Sequence, residues 1–384
     1  MNVPKLRFKE FTDEWNYTCL SEISAEITYG MNSASTEFDG LNKYIRITDI
    51  DDETGNFKPS NLVSPLNKPE DKFLVKKDDI LFARTGASTG KTYLYNIKDG
   101  KLYFAGFLIK AHIVNHNSNF IFQQTKLEKY KKWVKLTSMR SGQPGINSEE
   151  YGKCVFSITS LSEENKIAQF LSLLDKKIEL QTKKIEALKL FKSYTKSEIF
   201  KNGNHVCKLG AILNKWNKKN KDGAINYVES ISNKAGFIPQ SEQFEDRNVA
   251  SKNLRNYYVI KKGVFGYNPS RLNVGSLALK ENDFISVVSP LYECFTTTQN
   301  NTYLFEWFNS NNFKKETFSK FEGGVRNTLN FNNLCDIPIN LPDIETQNQY
   351  AKYFNKINFK ISLEEQKLSE LVKLKKGLLQ EMFI

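Results

Sequence analysis

No run of about 18 apolar residues occurs in this 384-residue chain, so no segment of it reads as a membrane-spanning helix. The opening MNVPKLRFKE lacks the apolar core of a signal peptide, and a soluble cytoplasmic protein of bacterial or archaeal type is the expectation. Cysteine is sparse: Cys19, Cys154, Cys207, Cys294 and Cys335 stand far apart and form no CxxC pair. Histidine is scarcer still, with three residues, of which only His112 and His116 are close. A structural zinc site needs four clustered ligands, so no metal is expected. Scattered thiols suit a reducing compartment, where they serve as small apolar side chains.

Arginine is rare too, eight of the 55 basic residues, so the net charge of +12 is carried mainly by lysine. That charge favours an anionic partner through release of counterions from phosphates, although a Lys-, Asn- and Ile-rich coding bias raises it for any function.

Catalytic motifs are missing as well. ARTGASTGKT (83–92) resembles a phosphate-cradling loop, but three residues separate Gly86 from Gly90 where GxxxxGK[ST] requires four, and no following helix is evident. YNPSR (267–271) begins like the Asn-Pro-Pro-aromatic motif of amino-methyltransferases, then lacks the second proline and the aromatic. The pairs Asp51 and Asp52, and Asp78 and Asp79, stand in turns where solvated carboxylates are commonplace. With no nucleophile beside a base, catalysis is assigned to partners.

The chain does contain a repeat. Shifted by 183 residues, Ser160–Phe200 falls without gaps on Asp343–Phe383, pairing Asn165 with Asn348, Lys177 with Lys360, Leu188 with Leu371 and Phe200 with Phe383. Both segments carry a heptad stripe, Ile167, Leu171, Leu174, Ile178, Ile185 and Leu188 in the first, Tyr350, Phe354, Ile357, Ile361, Leu368 and Leu371 in the second. The polar breaks recur too, Gln181 with Glu364 and Lys192 with Lys375. One such stripe would suit an ordinary helix packed on a core. Two copies with matching breaks favour two helices of roughly 39 residues, ~58 Å long, that cover each other's stripes as an intramolecular coiled coil. The heptads do not decide its orientation; with a large globular segment between the helices, an antiparallel pair, which is the expectation, would put the globular segments at opposite ends of a rod.

Residues 1–157 and 203–340 show short β-rich runs broken by Gly, Asn and Asp. KYIRITDI (43–50), DILFART (79–85) and KLYFAGFLIKAHIV (101–114) read as strands, as do INYVESI (225–231), NYYVI (256–260), GVFGYN (263–268) and DFISVVSP (283–290). Each segment has one late helical stretch, 120–136 and 302–318. SMRSGQPGINSEEYGKCVFSITSL (138–161) lies over FEGGVRNTLNFNNLCDIPINLPDI (321–344) at the same shift, so the segments read as diverged copies of one module. The expected class is α+β: two similar globular target-recognition domains, 1–157 and 203–340, separated by long helices in 158–202 and 341–384 that form an antiparallel, pseudo-twofold coiled coil.

The order of VPKLRFKEFTDEW (3–15), KKDDILFARTGASTGK, KKGVFGYNPS, the SGQPGIN and VRNTLN turns and the two helices resembles the specificity subunit of type I restriction–modification systems over essentially the whole chain. It departs in one respect: the second module starts at NHVCKLGAI (204–212) with no copy of RFKEF. The resemblance implies that each module reads one half of a split double-stranded DNA target, that the helices set the gap, and that this chain is not catalytic. It also implies two methyltransferase subunits carrying S-adenosylmethionine and restriction subunits using ATP and Mg, with no cofactor on this chain. Candidate DNA contacts lie in the divergent loops: Arg46, Arg84, Thr85, Gly86, Ser88, Thr89, Lys91, Arg140 and Gln143 in the first module, Asn268, Arg271, Asn273, Arg326 and Asn327 in the second. Gly86, Gly90, Gly142 and Gly145 are expected to serve turns or close approach to phosphates. Competing readings are a fragment of a single-chain methyltransferase or restriction enzyme, and a coiled-coil scaffold that does not bind DNA.

Overall fold

The computed structural model describes residues 2–201, 203–233, 235–243, 253–272, 275–318 and 328–384. The chain divides into two compact units, residues 1–180 with 367–384, and residues 181–366.

The first unit contains β1 (Asn16–Cys19), β2 (Ser24–Tyr29), β3 (Ser35–Glu37), β4 (Lys43–Ile45), β5 (Val63–Pro65), β6 (Asp79–Ala83), β7 (Thr92–Leu94), β8 (Leu102–Phe104), β9 (Leu108–Ile113) and β10 (Val155–Ile158). Its main sheet has the order β2-β9-β6-β7, antiparallel throughout. Every residue of β6 is buried. Alternate side chains leave opposite faces of a strand, so Ile80 and Phe82 enter one core while Leu81 and Ala83 enter another.

The second unit contains β11 (His205–Lys208), β12 (Leu213–Lys215), β13 (Glu229–Ser232), β14 (Gly236–Pro239), β15 (Tyr258–Ile260), β16 (Phe265–Tyr267), β17 (Leu277–Leu279), β18 (Ser286–Val288), β19 (Glu293–Thr297) and β20 (Pro338–Leu341). Its main sheet, β12-β19-β16-β17, repeats the topology of the first, and β11 with β20 repeats β1 with β10. The expected strands are present but shorter. KLYFAGFLIKAHIV divides at Gly106 into β8 and β9, and KYIRITDI is strand only to Ile45, after which Ile47–Asp49 forms a 3-10 turn. The late helical stretches each divide in two, Ser118–Gln124 with Glu128–Thr137, and Asn301–Phe308 with Asn311–Phe318. Hydroxyls explain the breaks: Thr125 Oγ1 bonds the Phe122 carbonyl (2.7 Å) and Ser310 Oγ bonds that of Trp307 (2.6 Å), giving the backbone an alternative to continuing the helix.

The two long helices run over Leu161–Ile199 and Ile344–Met382, 39 residues each. They are antiparallel within each unit. In the first, Ile167 and Leu171 share a core with Leu379, Met382 and Phe383, while Asp175 meets Lys375 (2.5 Å). In the second, Gln181 Nε2 donates to Glu364 Oε2 (2.7 Å), and Thr195 lies against Tyr353 (3.3 Å). The predicted stripe is buried or half-buried along its length. The polar breaks at Gln181 and Glu364 meet each other, which fixes register, as a polar pair in an apolar seam does.

Repeated contacts fasten each module to the helices. Asn117 caps its helix at Phe120 N (3.0 Å), its backbone N–H donates to Glu164 (2.9 Å) and its side-chain amide to Asn165 (2.7 Å). Asn300 does the same at Tyr303 (3.0 Å), Gln347 (3.2 Å) and Asn348 (2.7 Å), each residue 183 positions on. The second polar break is an anchor whose charges have changed places. In the first unit Lys375 binds Asp175 of the opposite long helix, and Gln123 of the module donates to that carboxylate (3.1 Å). In the second, Lys192 binds Glu306 of the module (2.7 Å), and Asn358 of the long helix donates to it (3.0 Å). Glu306 aligns with Gln123 and Asn358 with Asp175, so carboxylate and amide have exchanged sides around a retained lysine.

Burial alone would raise the Glu306 carboxyl, but Lys196 and Lys192 hold it below its ordinary value. A depressed folded pKa stabilises fully above the ordinary carboxylate range, and that stability is lost as pH falls through it. Glu306→Gln should destabilise the protein by about 3–5 kcal/mol at pH 7, because two lysines lose their buried partner. The gap between variant and parent in urea midpoint should narrow on acidification; a gap independent of pH would contradict the assignment.

Candidate nucleic-acid interface

In the first unit β6 ends at Ala83, and residues 84–91 return the chain to β7 through a 3-10 turn, Gly86–Ser88. The loop is pinned at its base by Gly90 N to Ala83 O (3.0 Å) and Ala83 N to Lys91 O (2.8 Å). Its crest is closed by Thr89 Oγ1 on the Gly86 carbonyl (2.7 Å). Gly86 and Gly90 have φ of +71° and +90°, a left-handed region that costs other residues about 1–2 kcal/mol. The loop runs into a strand, so no helix N-terminus stands behind it to receive a phosphate.

The Ser141–Gly145 turn is strapped to this loop. Gly86 N donates to Pro144 O (2.9 Å), Ile146 N to Arg84 O (2.9 Å), and Thr85 bridges Gly145. A Cβ on Gly86 would lie 2.8 Å from the Gln143 amide nitrogen, so the absence of a side chain lets this exposed amide stand over the loop. Just beyond, Asn147 caps Ser148–Gly152, with Glu150 accepting its backbone N–H (2.9 Å).

Arg84 joins further segments. Its guanidinium lies 4.7 Å from the centre of the Tyr29 ring, its Nη1 donates to Gly106 O (3.3 Å) and its backbone N to Phe107 O (3.0 Å). The Tyr29 hydroxyl accepts from Ser148 N and Oγ (3.0 Å each). Burial raises that phenol, but the Ser148 hydrogen bonds and the Arg84 charge bring it below its ordinary value.

The second unit builds the same clamp from other residues. After β16, Asn268 Oδ1 accepts Ser270 N (3.0 Å) in an Asx turn, Asn268 N donates to Ser276 O (3.1 Å), and Leu329 N donates to Pro269 O (3.0 Å). Asn330 caps Phe331–Cys335 as Asn147 does its counterpart. A β-strand end, a looping return and a capped helix thus recur with the loop chemistry changed.

Residues 12–190 match the family model of the type I restriction modification DNA specificity domain. That part of the chain carries the family's sequence pattern. The fold of the chain is similar to the S subunit of the type I restriction–modification system from M. genitalium, at 14% identity and TM-score 0.62, covering 100% of this chain and 99% of the other. It is also similar to a chain from a type I system solved for its complex assembly and conformational transition, at 14% identity and TM-score 0.56, covering 96% and 97%.

Arg84, Thr85, Ser88, Thr89 and Gln143 come together on one loop face, with Gly86 buried beneath it. Arg140 opens the same turn but is committed to Glu150 (2.5 Å) and the Thr137 carbonyl (2.9 Å). Arg46 is forked onto buried Asp49 (2.8 and 2.9 Å), a folding contact. Lys91 pairs with Asp52, which is 76% exposed, and such a pair contributes only ~0–1 kcal/mol and exchanges readily for a phosphate. Asn268 is turned into its own loop, and Arg271 is exposed. Asn273, Arg326 and Asn327 lie outside the described residues. Among the described residues no cluster of three metal-ligating side chains occurs, and no helix is long and apolar enough to cross a membrane. Burial pushes the Cys154 and Cys294 thiols up to about 12, consistent with packing roles. Residue type alone does not single out Tyr29 and Phe107; the Ala-Gly break inside 101–114 is the available sign of a turn.

The clamp yields a stability prediction. A Cβ at Gly90 would lie 2.5 Å from Val134 and adopt a disfavoured φ. Gly90→Ala should therefore cost about 2–4 kcal/mol in chemical denaturation. Adding Val134→Ala should recover only the steric share; full recovery would show that backbone conformation is not the constraint.

Proposed function

We propose that the chain is the DNA-sequence-reading subunit of a type I restriction–modification complex, with each unit's loop constellation reading one half of a bipartite target. The observation that carries this reading is the recurrence of one backbone clamp with different side chains, Arg84, Thr85 and Gln143 in one unit, Asn268, Pro269 and Arg271 in the other. Two recognition tasks require a common scaffold with divergent loops. Arg, Asn and Gln discriminate base edges in the major groove by ~1–3 kcal/mol per bidentate pair, and the lysine-rich surface supplies salt-dependent attraction to phosphates.

On this reading the chain performs no bond chemistry. Two methyltransferase subunits bring S-adenosylmethionine, and restriction subunits bring ATP and Mg. The assembly acts in the cytoplasm, where its double-stranded target lies. The antiparallel helices serve as the spacer that sets the gap between half-sites.

Co-expression with a cognate methyltransferase should yield adenine methylation at one bipartite motif, read by methylome sequencing. Replacing residues 1–157 with those of a related chain should alter one half of that motif; alteration of both halves, or of neither, would refute the division of labour. A heptad inserted into only one long helix should impair assembly or change the unread gap while leaving both half-sites intact. An unchanged gap with undiminished methylation would count against a spacer.

A further inference from the structure

The turn between β8 and β9 and its counterpart between β18 and β19 both present a large apolar side chain to solvent. Phe107 is 60% exposed and Leu291 79%. Laying β8 on β18, Leu102 over Ser286, places Gly106 on Pro290 and Phe107 on Leu291. A single exposed apolar residue is ordinary on a protein surface. The same position exposed and apolar in both units, in turns whose other residues have diverged, is a different observation: burial explains neither.

The backbones of both turns are tied by hydrogen bonds. In the first, Gly106 N donates to Met31 O (2.8 Å), Leu108 N to Ala105 O (2.9 Å), and Arg84 bonds the carbonyls of Phe107 (3.0 Å) and Gly106 (3.3 Å). In the second, Tyr292 N donates to Ser289 O (3.1 Å), Leu291 N to Ser289 Oγ (3.3 Å), and Pro290 restricts the backbone. Each turn also adjoins its unit's candidate loop. Leu108 pairs with Ala83, after which Arg84 begins one loop, and Glu293 pairs with Tyr267, after which Asn268 begins the other. An apolar side chain carried on a hydrogen-bonded turn beside polar loop groups leaves little backbone entropy to lose on contact.

Among base edges in the major groove, the thymine 5-methyl is the apolar feature, and neither arginine nor glutamine senses it well. We propose that Phe107 and Leu291 are specificity-determining residues, each in apolar contact with a thymine methyl in the half-site that its own unit reads. This inference rests on the DNA-reading function proposed above.

The full chain, assembled with its cognate methyltransferase subunits, is titrated with duplexes carrying the motif found by methylome sequencing. Each thymine in turn is replaced by uracil, which removes the methyl and leaves the hydrogen-bonding edge intact. The parent complex should lose about threefold to tenfold in affinity at one thymine of each half-site. Phe107→Ala should abolish that preference in one half-site only and Leu291→Ala in the other, with Phe107→Leu retaining part of it. Variants that keep the parent's thymine preference would overturn the proposal. So would variants that weaken every duplex equally, unrelated sequences included, as expected of a wedge between base steps or a contact to another subunit. A parent complex that methylates no bipartite motif would sink the DNA-reading function itself and this inference with it.

Discussion

A 39-residue helix with a single apolar stripe is not stable alone in water, and most of this fold follows from how two such helices hide their stripes from solvent. Each Ile, Leu or Phe fully removed from water contributes about 1.5–3 kcal/mol, so Ile167, Leu171 and Phe354 set the seam while half-buried Leu174 and Ile178 extend it. Antiparallel pairing means that each unit receives the start of one helix and the end of the other. Phe383 therefore packs on Phe120 and Trp15 in the first unit, and Phe200 on Tyr303 and Phe354 in the second.

The polar positions of the seam do a different job. Gln181 and Glu364 satisfy each other at a depth where an unpaired amide or carboxylate would cost several kcal/mol, so slippage of one helix along the other is disfavoured. Lys192 and Lys375 reach past the seam to anchor the modules. The exchange of carboxylate and amide between Asp175 with Gln123 and Glu306 with Asn358 shows which feature divergence preserved. A carboxylate must meet one lysine and one amide, but whether the module or the long helix supplies the carboxylate is free to change. A scaffold held in this way tolerates replacement of the loops it carries.

The helices are the most legible part, because a hydrophobic period sustained over many heptads, twice, with the same interruptions, arises from little besides a paired helix. Strands are legible in position but not in length, since β-rich composition does not reveal where a hydroxyl such as Thr125 or a glycine such as Gly106 ends an element. Among the candidate contacts, residue type is a partial guide. Arg84 and Gln143 do reach one surface, yet Arg46 is absorbed by Asp49 three positions away, and only a folded chain shows whether an arginine's donors are already used. Exposed aromatics such as Phe107 are invisible for the opposite reason: in sequence they look like core.

The amino-acid order by itself determined the duplication, the heptad stripe, the polar breaks and the divergence of the loops, because these are periodic or local properties. Tertiary structure alone decided the antiparallel sense, the partner of each buried charge, and the strapping of residues 141–146 onto residues 84–86. Those are contacts between positions far apart along the chain, chosen by packing and by the cost of leaving a buried donor or acceptor unmet.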